Sequence, residues 1–186
     1  MKDDMSSIIL GENTVLPTDD SGNQNVHIAT SYTLISSATI QSLSFYVTSG
    51  AAGKMRLGIY DNSAGSPNNR KAFTGEITLV NGWNTAVVTV PILLSAGTHW
   101  ITYLYNNSGI NFKNTNTGTS KYHNMAYAAL PDPFGSIDGS YTAHWSHYGT
   151  LTVIDTVKDL MNNLQSGFLV NTPVYDGGIL HLRRKV

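Results

Sequence analysis

The chain contains no cysteine. That excludes disulfides, zinc–thiolate sites and cysteine nucleophiles, so the fold must hold by core packing in either redox compartment. Nor is a secretory signal expected at its start. Lys2 is followed at once by Asp3 and Asp4, and the first apolar run, Ile8-Ile9-Leu10, is too short for a signal core. The expectation is a protein assembled inside a cell, or one that has lost an export signal. No stretch approaches the roughly 20 apolar residues of a membrane span, so none is expected. Charge is scarce too. Only 12% of the residues are charged and the net charge is -1, which gives no electrostatic footprint for nucleic acid. The one basic cluster, Arg183-Arg184-Lys185, reads as a solvated end.

Glutamate is limited to Glu12 and Glu76. Helical proteins need such residues on their solvent faces. What is present instead is Thr and Tyr, which fit pleated strands, and Asn, Gly and Ser, which serve turns. The 186 residues suit one domain with a sizeable core.

The period-2 signal begins after residue 25. Leu43, Phe45 and Val47 alternate with Ser42, Ser44 and Tyr46, and Met55, Leu57 and Ile59 alternate with Arg56, Gly58 and Tyr60. Residues 61–69 read as a loop, Asn81-Gly82 as a tight turn, and 99–105 as a strand apolar on both faces. Pro131 and Pro133 forbid a helix or central strand around them. Residues 141–153 read as the last core strand region. Strands at this spacing imply an all-β, two-sheet antiparallel sandwich over 26–153, with Leu43, Phe45, Leu57, Ile59, Val88, Trp100 and Leu104 in its core. Residues 1–25 read as a polar N-terminal arm. Residues 154–186 read as an extension. Ile154, Val157, Leu160, Met161 and Leu164 predict a short helix over 154–165, and a strand follows over 179–182.

Five segments carry a resemblance: SLSFYV (42–47), KMRLGIYDNSAGSPNN (54–69), LVNGWNTAVV (79–88), LSAGTHWITYLYNN (94–107) and ALPDPFG (129–135). In this order they resemble a jelly-roll-like β-sandwich module found beside secreted bacterial carbohydrate-active enzymes and in phage virion surface proteins. The resemblance implies a fold. Such modules serve as sugar binders, spacers and virion decorations alike.

Chemistry-bearing groups are few. His144 and His147 are three apart, which places them on opposite faces of an ideal strand and argues against shared metal ligation. Asp61 and Asn62 offer oxygen atoms for calcium, but equally bond their own backbone in a turn. Glu76, Asp132 and Asp138 show no pairing that glycoside hydrolysis would need, and no G-x-S-x-G elbow exists. No catalytic residue, metal or cofactor is therefore expected. Among the aromatics, Tyr46 and Tyr60 should point outward, Trp145 and Tyr148 are undecided, and Trp83 and Trp100 read as packing residues. The candidate ligand-binding residues are thus Tyr46, Tyr60, Asp61, Asn62, Trp145 and Tyr148.

The functional expectation is a non-catalytic phage virion surface protein, a capsid decoration, head-fibre or tail-appendage subunit. Its partners would be other virion or surface subunits in an oligomer or assembly, and a cell-surface glycan is a further candidate. The alternative is a carbohydrate-binding module of a secreted bacterial protein, located outside the cell. In the virion reading the two flanks, 1–25 and 154–186, are expected to make the intermolecular contacts.

Overall fold

The computed structural model describes residues 6–50, 52–153, 174–176 and 179–181. The chain divides into two units. The larger, Ser7–Val153, is an antiparallel sandwich of two seven-stranded sheets. In the other unit the described part is a hairpin of β15 (Val174–Asp176) and β16 (Ile179–His181).

The first sheet is built around β4 (Ala38–Ser49). Along one edge β4 pairs with β8 (Gly82–Leu94), and along the other with β14 (His147–Thr152), which in turn pairs with β1 (Ser7–Gly11). The far end of β4 meets β10 (Asn111–Thr115), which carries β2 (Thr18–Ser21) and β13 (His144–Trp145). The second sheet runs β12 (Gly139–Tyr141), β11 (Ser120–Asn124), β3 (Val26–Leu34), β9 (Gly97–Tyr105), β5 (Lys54–Ser63) and β6 (Ser66–Phe73), with β7 (Ile77–Thr78) also on β5.

Alternation makes the core. Leu43, Phe45 and Val47 face Leu57, Ile59, Ile101 and Tyr103 of the other sheet in one buried cluster. The Phe45 and Tyr103 rings meet across the gap at 4.8 Å. Every residue expected in the core is buried. Trp100, however, lies on the outer side of β9, in a second cluster with Ala29, Tyr60 and Phe134.

Two expectations need correction. The fold class carried a short C-terminal helix. The described residues contain strands and no helix, and residues 154–165 lie outside them. The polar arm is also not free. Ser7–Gly11 pairs in register with β14, Thr18–Ser21 pairs with β10, and Leu10 is buried in the core. Ile8 and Leu10 point inward and Ile9 outward, so this short stretch obeys the strand period. Its three apolar residues were too few to stand out as a strand, yet as an edge strand it needs only one buried face.

Candidate functional site

The two sheets treat their outer faces differently. On the second sheet the outer face is covered. The Pro-rich connection between β11 and β12 lies across it, with Leu130 and Phe134 buried. Gly58 makes room: a Cβ there would stand 2.7 Å from Leu130 Cδ1. The Tyr60 hydroxyl donates to the Pro131 carbonyl, and the Arg70 guanidinium donates to the Leu130 carbonyl. Asp132 accepts from the Arg70 amide at 2.9 Å, and the Phe134 amide donates to Asn68 O. His27 stacks on Phe134 at 4.2 Å and edge-on to Tyr60. Neither ring nitrogen of His27 has a partner. Burial, with a smaller contribution from His123, holds its pKa down at about 3.

On the first sheet no segment among residues 7–153 lies across the outer face, which gathers three aromatics. Trp83 stands directly opposite Tyr46 across the β8–β4 pair, with ring centroids 5.3 Å apart. Tyr148 lies diagonally, opposite Ser44, and meets Trp83 at 5.0 Å. Ser44 between them is small and buried, which lets the indole lean over it toward β14. Local chemistry at the start of β8 sets the orientation. Gly82 takes φ +96°, and the buried Asn84 side chain accepts from Val80 N and donates to Val80 O and Gly82 O. With Asn84 turned inward, alternation throws Trp83 outward. The next row along the face is Ile9, Thr150, Ser42 and Val87, one residue from each of β1, β14, β4 and β8.

The polar tips distinguish this cluster from the other aromatics. The Trp100 indole donates to Asn62 Oδ1 at 3.0 Å and that of Trp145 to Asp20 Oδ2 at 2.7 Å. No acceptor among the described residues takes the Trp83 N–H. A partly exposed aromatic with an unused donor, flanked by two tyrosines, can stack on a flat apolar ligand face and bond its hydroxyls.

The expected site residues therefore divide. Tyr46 and Tyr148 come together, and Trp83, read from sequence as packing, completes them. Tyr60 does point outward from its sheet, but the Pro-rich segment seals it. Trp145 is buried in the main cluster. Asp61 and Asn62 are spent on structure. Asp61 accepts from Asn69 N at 2.7 Å and pairs with Lys71 at 3.4 Å, while Asn62 holds Trp100. The expected 61–69 loop is mostly strand, with its turn at Ala64-Gly65.

His144 and His147 also depart from the ideal-strand expectation. The ladder breaks at Ser146, and both rings approach Tyr32, at 6.4 and 5.6 Å. His147 is fully buried without a hydrogen-bond partner, and burial lowers its pKa to about 3. His144 Nδ1 meets Thr117 O at 2.9 Å and its Nε2 lies 3.6 Å from Glu12. Among the described residues no group of three His, Asp or Glu side chains could hold a metal ion.

The carboxylates of the sandwich are dispersed. Glu12 bonds Thr14, Asp19 pairs with Lys113, and Glu76 with Arg56 and Lys54. Asp138 holds the Asn124 amide and His123. None lies on β1, β4, β8 or β14. No protein-family model matches this chain, and no curated protein matches it either.

Proposed function

We propose that this chain is a non-catalytic recognition protein whose sandwich binds glycan on the outer face of its first sheet, and that it serves as a virion surface subunit of a phage. The observation that carries the binding role is the Tyr46–Trp83–Tyr148 cluster, held on a sheet face and partly exposed. Pyranose rings present an apolar C–H face that stacks on such rings, while their hydroxyls suit the free indole and phenol groups. The dispersed carboxylates support a role without hydrolysis, because a glycosidase needs two carboxyl groups across one bond. The resemblance of residues 26–153 to modules of virion surface proteins supports the location, with other virion subunits as partners.

The alternative is a carbohydrate-binding module of a secreted bacterial protein. The aromatic face favours it as much, since glycan binding alone would satisfy that role. Integration of residues 7–25 into the sandwich also removes the N-terminal interlocking arm as support for assembly.

A glycan array probed with the wild-type chain and with Trp83→Ala tests the binding role. Retained glycans that vanish in the variant are expected. An array without a hit, or hits indifferent to Trp83, would overturn it. Mass spectrometry of purified particles separates virion from secreted location.

A further inference from the structure

The binding face is unusual in what surrounds it. β1, β4, β8 and β14 contain no Asp, Glu, Lys or Arg. From Ile77 to Phe112 the chain runs without any such residue, and this run includes all of β8. The second sheet differs: β5 alone carries Lys54, Arg56 and Asp61, and β6 carries Arg70 and Lys71. Two charged groups border these strands: Lys113 on β10, next to the Phe112–Val47 pair and neutralised by Asp19 at 2.9 Å, and Glu12, just past Gly11, the residue opposite Tyr148. Glu12 is an anion. Hydrogen bonds from Thr14 and the neighbouring His144 outweigh burial and keep its carboxyl below the ordinary range.

Resting on the glycan-binding reading, we infer that this face selects neutral glycans and rejects acidic ones. A uronate, sialate or sulfate lying against the face would shed water with no unpaired cation on these four strands to replace it. A neutral sugar loses nothing by this, because stacking on Trp83 and hydrogen bonds to hydroxyls such as Ser42, Thr85 and Thr150 require no charge. Binding of this kind is also insensitive to salt, since no ion pair contributes to it. The specificity is thus set by what the four strands leave out.

The test is isothermal titration calorimetry with matched oligosaccharides. Neutral probes are gluco-, xylo- and manno-hexaoses, lactose and methyl-esterified oligogalacturonate. Acidic probes are free oligogalacturonate, sialyllactose and a sulfated galactan oligomer. At least one neutral probe is expected to bind, with affinity constant within about twofold between low and high salt. Its acidic counterpart should bind at least about tenfold more weakly. Trp83→Ala should remove the binding while leaving the thermal melt intact, and Tyr148→Ala, checked the same way, should weaken it.

Val87→Lys places a cation in the row beside the aromatics, at a side chain 75% exposed. It should recover acidic probes in a salt-sensitive manner. An acidic probe that binds the wild type more tightly than its neutral partner, still through Trp83, would overturn the inference and leave the glycan site standing. Binding of none of the probes, or binding indifferent to both aromatic substitutions in folded protein, would overturn site and inference together.

Discussion

The outer faces of the two sheets start from the same strand pattern and end differently. Both present aromatics outward: Tyr60 and Trp100 on the second sheet, Tyr46, Trp83 and Tyr148 on the first. On the second sheet the Pro-rich segment lays Leu130 and Phe134 over them and turns them into core. On the first sheet nothing among residues 7–153 covers them. An outward aromatic is therefore a ligand platform only where the chain supplies no cover, and cover comes from a segment far away in sequence. Each phenol and indole under the cover is tied to a partner, whereas the Trp83 indole is left to solvent or ligand.

Acid should separate the sealed regions from the open one most strongly. His27 under the Pro-rich segment and His147 in the main core are held neutral, with pKa values of about 3. Unfolded, they titrate near 6.5, so between these values the unfolded chain binds more protons than the folded one. Stability is full above about pH 6.5 and falls with decreasing pH, by about 1.4 kcal/mol per pH unit for each imidazole. Urea melts at pH 7 and pH 4.5 should differ by about 5 kcal/mol, and His27→Leu should remove roughly half of that difference. An unchanged acid response in the variant would mean that the seal over the second sheet is loose.

Next in size, Trp100→Ala should cost about 3–5 kcal/mol, as for a buried aromatic that leaves a cavity. Phe134→Ala should approach this value. A cost below about 1 kcal/mol for both would place the Pro-rich segment off the sheet. Tyr60→Phe removes one hydrogen bond to the Pro131 carbonyl at constant shape and should cost about 1 kcal/mol. The smallest stability change is expected for Trp83→Ala, no more than about 1 kcal/mol, because the indole packs on the sheet surface beside Tyr46 and Tyr148 and not in the core. It is the one substitution of the series that should abolish glycan binding.

Much of the sandwich was legible in the residues. Leu43, Phe45, Leu57 and Ile59 alternate, and a period of two leaves them one shared interior. The N-terminal strands were not legible, because Ile8, Ile9 and Leu10 are few and Asp19 and Asp20 look like solvent residues. Pairing with β14 and β10 is long-range information that local composition does not carry. The site was half legible. Alternation put Tyr46 outward, but it put Tyr60 outward too, and nothing local says that residues 130–134 return to cover only the latter. Trp83 followed a turn signal, where an aromatic reads as a corner plug. What could have singled it out is the alternation of Trp83, Thr85 and Val87 within a run empty of charge.

The account's central claim is that one outer face is sealed and the other receives the ligand. The three tryptophans report on it directly, since one lies under the seal, one in the core and one on the open face. The indole N–H signals in a 15N-correlated NMR spectrum, followed while a bound neutral oligosaccharide is titrated in, make the measurement. The Trp83 signal should exchange fastest with solvent and shift on binding, while Trp100 and Trp145, bonded to Asn62 and Asp20, stay protected and still. A shift of Trp100 or Trp145 with Trp83 unmoved would contradict the account.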